Sequence, residues 1–444
     1  MAKGNKDQDR VVVVGGGTAG VAAALAAAKN GATVTLIEKN GFLGGVATFG
    51  IPFLAFKDGC GRRVVGGIGQ KLVERLMELD ASPGHVGCAY WAGLGQDQQF
   101  HLTPYDPEGY KYAVLQLAAE AGVRLQLHSQ FVDVEQRPDG CITAVTFACK
   151  DGLERIEADI VIDTSGDADV ARRAGCSIRL GGAGRTMQNV SGIFILSDVS
   201  AEQAVAALQA GRQIRGWNHW HTRVVTGDLV DGAKGINHFA GLMTPWGDER
   251  TYAFTAVAWR KNVYSLNISR TTGINGCLAS DLNQAEVNER LQMYELFKAM
   301  RAHVPGFEQA NLIATSPMVG IRESANIKGA YVLTKDDVLL GRDHEDNIAR
   351  GCYPIDIHDP AGGHTTFAFI REGGSYGIPY RCLVPDRVAN LLVAGRCLSA
   401  SHEAHGSTRI MATAMATGEA AGTAAALALA SGQLPAGSQF DVKA

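Results

Sequence analysis

Residues 11–14 are an unbroken run of valines, the pattern of a parallel strand buried on both faces. Three glycines follow. Val21, Ala24, Leu25 and Ala28 then recur at helical spacing, and residues 32–38 (ATVTLIE) return to a strand pattern. Strand, glycine turn, helix and strand are therefore predicted between Arg10 and Lys39. A second helix is predicted over residues 107–121, with Asp106 as N-cap and Pro107 at the first helical position. After Gly122 comes a strand over residues 123–127. Three short strands near residues 131–135, 142–148 and 155–158, separated by Pro138-Asp139-Gly140 and Lys150-Asp151-Gly152, read as a meander. Residues 159–162 form another buried strand running into TSGDAD. From 191 to 364 helix and strand signals are mixed. The first pattern then returns, with a strand over 391–394, a glycine turn, and an alanine-rich helix over about 409–430 stopped by Gly432.

This order predicts an α/β fold: a Rossmann-type domain, parallel sheet plus β-meander, from residues 1–190 and 375–444, with an α+β cap domain inserted over 191–374. Composition narrows the class. The chain has 444 residues, with 41 Lys and Arg against 45 Asp and Glu, a net charge of −4 and no basic block, which argues against nucleic acid as a partner. With 19% charged and 46% hydrophobic residues, the chain has apolar material for a large core. Nine cysteines, an odd number without a CxxC pair, suggest neither a disulfide framework nor a zinc site, and no metal is expected. The apolar stretch 410–430 carries Glu419 at its middle, so a buried helix is expected there, not a membrane span. The glycines interrupt any signal-peptide reading of the N-terminus, and a cytoplasmic protein is expected.

Gly15-x-Gly17-x-x-Gly20 stands between a predicted strand and a predicted helix, the context in which it marks a dinucleotide site. Gly15 permits the tight turn, Gly17 the close approach of backbone to a pyrophosphate, and Gly20 close helix–strand packing. The helix N-terminus favours the phosphates. Glu38, 23 residues after Gly15, is placed to accept hydrogen bonds from ribose hydroxyls. Three features favour FAD over NAD. Lys39 and the second glycine segment, with Gly44 and Gly45, extend the phosphate site. The meander is followed by Ser165-Gly166-Asp167. The C-terminal Gly395-Arg396 and the final helix bring a further helix N-terminus, with Arg409, toward a flavin ring.

The segments GGGTAGVAAALAAAKNGATVTLIEK, FLGG, GIRES, YGIPYRCLVP and NLLVAGRCLSASHEAHGSTRIMATAMATGEAAGTAAALA resemble the FAD-dependent oxidoreductase family, related to the fumarate reductase and succinate dehydrogenase flavoprotein type. The resemblance implies non-covalent FAD in a glutathione-reductase-type domain and a substrate domain capping the flavin. With it, Thr18, Ala19, Thr48, Val132, Ser407, Met411 and Ala412 join the expected cofactor-binding residues. Ala325 and Asn326 stand where basic residues are expected after IRES. No second GxGxxG stands in strand–helix context; the nearest strings, Gly66-Gly67-Ile68-Gly69 and Gly181-Gly182-Ala183-Gly184, have no acid-tipped strand after them. No built-in NAD(P)H domain is therefore expected, and electrons would pass to or from a separate acceptor or donor.

For catalysis the richest segment is 399–409, expected as a loop before the helix, where His402 and His405 offer acid–base groups. Arg322 is placed to grip an anionic substrate bidentately; the competing reading is an Arg322–Glu323 ion-pair network. Tyr380 and Arg381 are further candidates. Trp217 to His221 reads as a pocket lining or an aromatic interface, and residues 342–346 as a solvated loop. The expected function is an FAD-dependent oxidoreductase transferring a hydride between a small organic substrate and flavin N5. The alternatives are an NAD-dependent dehydrogenase or a flavin-binding module without turnover. A homo-oligomer is compatible with the sequence.

Overall fold

Five parallel strands form the central sheet, in the spatial order Leu391–Val393, Ile160–Asp163, Arg10–Val14, Thr33–Ile37, Arg124–Gln126. The computed structural model describes residues 10–88, 100–209, 238–243, 252–360 and 365–437. The valine run does what its pattern requires. Val11 and Val13 join the core on one face of the sheet, Val12 and Val14 the core on the other. Helices Thr18–Lys29, Pro107–Glu120 and Met411–Ser431 cover the first face. The antiparallel meander Gln130–Gln136, Ile142–Cys149, Gly152–Glu157 contributes Phe131, Val145 and Phe147 to the second. The Asp106 side chain caps the helix at Pro107, accepting from the Glu108 N–H at 2.9 Å. The large core also takes in Leu333, Val338, Ile355, Ile370 and Tyr376.

The first and last helices touch backbone to backbone. A Cβ on Gly418 would lie 2.1 Å from the Ala19 carbonyl oxygen, and one on Gly422 2.1 Å from that of Ala23. Glycine facing alanine is what lets these helices approach so closely.

Residues 191–364, mixed in the sequence reading, hold a five-stranded antiparallel sheet in the order His238–Met243, Tyr252–Arg260, Val263–Asn267, Ile193–Ser197, Asn311–Thr315. The 25-residue helix Ala279–His303 packs Met293, Leu296, Phe297 and Met300 against Phe194, Leu196, Tyr264 and Leu266.

Two local features are decided by packing. The Gly66–Gly69 string opens the helix Gly67–Glu78, and a distant residue caps it: Glu419 accepts from the Ile68 N–H at 2.8 Å. The acid that interrupts the apolar C-terminal stretch thus serves a helix N-terminus, where orphan N–H groups and the dipole favour a carboxylate. Replacing Glu419 with Ala should cost about 1–2 kcal/mol, read as a lower thermal unfolding midpoint. Second, the segment expected as a loop contains a short helix, His402–Thr408, capped by the Ser401 hydroxyl accepting from the Ala404 N–H. Arg409 closes it, its guanidinium anchored on Asp356, and the long helix restarts at Met411.

Candidate active site

The glycine turn is built as its spacing requires. Gly15 has φ of 102°, and a Cβ on Gly20 would fall 1.8 Å from the Gly15 carbonyl oxygen. A Cβ on Gly17 would meet nothing within 4 Å, and no side chain caps the helix that starts at Thr18. Ala19 lies in its first turn. Gly44 and Gly45, both at positive φ, bring the second glycine segment onto this turn, with Gly44 bridging Gly17 and its N–H bonded to the Gly16 carbonyl at 2.7 Å. Thr48 follows, its hydroxyl on the Gly45 carbonyl. Glu38 is buried and accepts from the N–H groups of Gly16 at 2.7 Å and Asn40 at 2.8 Å. Lys39 is exposed beside it. Val132 sits where the meander register shifts between Phe131 and Asp133.

At the end of the strand Ile160–Asp163, buried Asp163 accepts from Ser165 and from the Ala171 N–H. Asp167 is held by Arg396 at 2.9 Å and by Ser324 at 2.5 Å, so the Gly166 loop is tied to the Gly395-Arg396 turn. Gly395, at φ of 77°, lies against Ala19.

Ahead of the Met411–Ser431 helix, charged and polar groups converge. Arg322 donates through Nη1 to the Asn189 carbonyl at 3.0 Å and to the Ser191 hydroxyl at 2.7 Å, and its Nε and Nη2 have no partner among the described residues. Burial, with Arg409 and Arg270 nearby, pushes its pKa down to about 9, which leaves it charged at neutral pH. Arg409 Nη2 bonds Asp356 Oδ2 at 3.1 Å, and His358 Nε2 lies 3.4 Å from Oδ1 of the same carboxylate. Burial works to raise the Asp356 carboxyl, but His358 and Arg409 hold it well below the ordinary range. His358 itself is driven down to about 4 by burial and by Arg322, so its ring is neutral at neutral pH.

His402 Nδ1 lies 2.7 Å from Glu323 Oε1, and its ring packs against Gly182. The hydrogen bond to Glu323 raises the His402 pKa, outweighing burial. His405 is buried, its Nε2 donating to the Arg396 carbonyl at 3.0 Å, and burial lowers it to about 4. The competing Arg322–Glu323 pair does not form, because the neighbouring side chains diverge, one to Asn189 and Ser191, the other to His402.

Other candidates lie apart from this cluster. Arg381 is held bidentately by Asp346 at 2.9 and 3.1 Å and lies over the Tyr331 ring. Asp346 is mostly covered, so the loop expected to be solvated is solvated only in part. Tyr380 is buried, with its hydroxyl on the Pro435 carbonyl. Ser407 is buried with its hydroxyl on the Tyr353 carbonyl at 2.5 Å, bracing the short helix; Met411 and Ala412 form the buried first turn of the long one. Asn326, where a basic residue was expected, donates to the Ala400 carbonyl. Trp217–His221 and Gly362–His364 lie outside the described residues. The sequence reading named Glu323 only as a partner for Arg322 and passed over Asp356, His358, Gln188 and Asn189. Of these, Asp356 and His358 carried a signal: two residues apart on a strand, they share one face.

The donor set also says what the site accommodates. Gln188 Nε2, Asn189 Nδ2, Arg409 Nε and the hydroxyls of Thr408 and Thr413 are buried donors without a partner among the described residues, and His405 Nδ1 is an unpaired acceptor beside them. Leaving such a group unpaired costs about 1–3 kcal/mol each. Buried donors ahead of a helix N-terminus suit the carbonyl and ring-nitrogen edge of an isoalloxazine, which carries negative charge when reduced. Together with the glycine turn and Glu38, this defines a dinucleotide-binding flavoprotein fold.

The sequence matches the family described as FAD dependent oxidoreductase over residues 10–443, and the chain belongs to that family. FAD is its cofactor. Among solved structures, the chain is similar to the flavin-dependent brominase Bmp2, with TM-score 0.50, 13% identity, and coverage of 95% of this chain and 79% of that one. It is also similar to GidA of Aquifex aeolicus, with TM-score 0.49, 15% identity, and 97% and 64% coverage. At 13% identity the likeness to Bmp2 concerns the fold alone. No helix among the described residues is long and apolar enough to cross a membrane.

Proposed function

We propose that the chain carries out redox chemistry on a small anionic organic molecule lodged between the Arg322–Arg409 cluster and the FAD site, with a separate electron acceptor or donor. The observation that carries this reading is Arg322: a half-buried guanidinium braced on one nitrogen by Asn189 and Ser191, with two nitrogens left to form a fork for a carboxylate. FAD, when bound, supplies the redox step, accepting or returning a hydride at N5. Arg322 orients the substrate. Arg409 and Asp356 neutralise each other and keep the cation density local. Neutral His358 and buried Gln188 line the same side.

His402 is the proton carrier in this reading. Glu323 accepts from Nδ1–H, which fixes the tautomer and leaves Nε2 as the acid–base atom. His405, buried and bonded to backbone, holds the Arg396 turn and is not assigned a proton transfer.

Anaerobic mixing of the FAD-loaded protein with a panel of small carboxylates, followed by loss of flavin absorbance, tests the proposal. Bleaching by uncharged analogues as readily as by the acids would overturn it. A pH profile tests the His402 role. Glu323 raises the His402 pKa, so the free base appears only at higher pH. In Glu323→Gln the acid limb of the flavin reduction rate should move to lower pH, with the plateau rate reduced; an unmoved limb removes His402 from the mechanism.

A further inference from the structure

Residues 58–64 and 371–375 line an open cavity of about 600 Å³ with Arg62, Arg63, Arg350 and Arg371 around it and Asp58 and Glu372 as the acids in the lining. This size is typical of a ligand site. The loop is set in advance: buried Asp58 accepts from the N–H groups of Cys60 at 3.0 Å and Arg62 at 2.9 Å and from Arg62 Nε at 2.8 Å. Arg350 is likewise fixed, its Nη1 paired with Asp343, its Nε on the Ser375 hydroxyl at 3.0 Å and its Nη2 on the Ser375 carbonyl at 3.2 Å. Arg63, bridged to Lys57 through the backbone, forms no side-chain hydrogen bond or ion pair with the described residues. Asp58 pairs with Arg62, Glu372 with Arg371 and Asp343 with Arg350, so four guanidinium groups meet three carboxylates and Arg63 carries the excess positive charge.

A second cavity of about 640 Å³ adjoins the first and shares Val64 and Arg350 with it. Its lining is mostly apolar, with Val65 and Ile348 on one side and Ala420, Ala424 and Leu427 of the final helix on the other; Asn347 and Glu419, the latter bonded to the Ile68 N–H, are polar members. A cationic lobe opening onto an apolar lobe is the recognition pattern of an anionic head group on an apolar body. We infer that these joined cavities bind an amphipathic anion, its phosphate or carboxylate among the arginines and its apolar body along the final helix. The arginine fork suits either head group. This site is independent of the substrate reading above, since none of its residues belongs to the Arg322 cluster.

The test is calorimetric titration of octyl phosphate into the FAD-loaded protein, which keeps the probe out of the cofactor's own phosphate site. One-to-one binding is expected, at least tenfold tighter than that of inorganic phosphate. It should weaken at least tenfold in Arg63→Gln/Arg371→Gln and separately in Leu427→Gln, all three being surface positions whose replacement leaves the core intact. The flavin spectrum serves as the folding control. Inorganic phosphate or pyrophosphate binding as tightly as octyl phosphate would overturn the apolar lobe's part and with it the proposal. No binding, or binding unchanged in the variants, would overturn it outright.

Discussion

Replacing Gly422 with Ala should destabilise the protein, although helix propensity alone favours the change by about 0.5–1 kcal/mol. The reason is the 2.1 Å separation between the new Cβ and the Ala23 carbonyl oxygen. That neighbour is backbone in the first helix and cannot rotate away, so the helices must part. Overpacking of this kind costs about 1–3 kcal/mol, and a rigid backbone neighbour places the cost at the upper end. The same displacement carries the N-terminus of the final helix away from Gly395 and Ala19, and with it one wall of the flavin pocket. A lower unfolding midpoint and a lower FAD content after gel filtration are expected together, and Gly418→Ala should behave alike through Ala19. A Gly422→Ala protein as stable as the parent would show that the helix crossing is looser than the structure describes.

The other large effect concerns Arg322. In Arg322→Gln, kcat/KM for the anionic substrate should fall by two or more orders of magnitude. Each hydrogen bond to a charged partner contributes about 1.5–3 kcal/mol, and about 1.4 kcal/mol is a tenfold change. Arg322→Lys keeps the charge but loses the fork, and should recover only part of the loss. FAD content and the unfolding midpoint should change little if the loss lies in substrate binding. The measurement is the rate of flavin reduction against substrate concentration. An unchanged rate in the Gln variant would assign Arg322 to the packing of Asn189 and Ser191.

These effects differ in how far they could be foreseen. The Rossmann half was legible because its signals are local. A valine run, three glycines at fixed spacing, a helical repeat and Glu38 follow one another within about thirty residues, and each constrains its neighbours' backbone directly. The meander and the Asp106 cap were legible for the same reason, since turn residues and a capping acid act on the chain beside them. The helix His402–Thr408 was not, because its alternation of small and polar residues has no helical period, and its start rests on a single Ser401 hydroxyl.

Sequence by itself determined the fold class and the dinucleotide turn, because the stereochemistry of glycine and the period of apolar residues dictate them over short range; FAD over NAD rested on features spread over the whole chain and on the family resemblance. Tertiary structure alone decided which charges meet. Glu323 turned to His402 instead of Arg322, Asp356 gathered Arg409 and His358, and Glu419 reached the N–H of Ile68, 351 residues away in the chain. A buried charge takes whichever partner the packed chain brings within about 3 Å, and the cost of leaving it unpaired selects that partner after the chain has folded, where no sequence spacing records it.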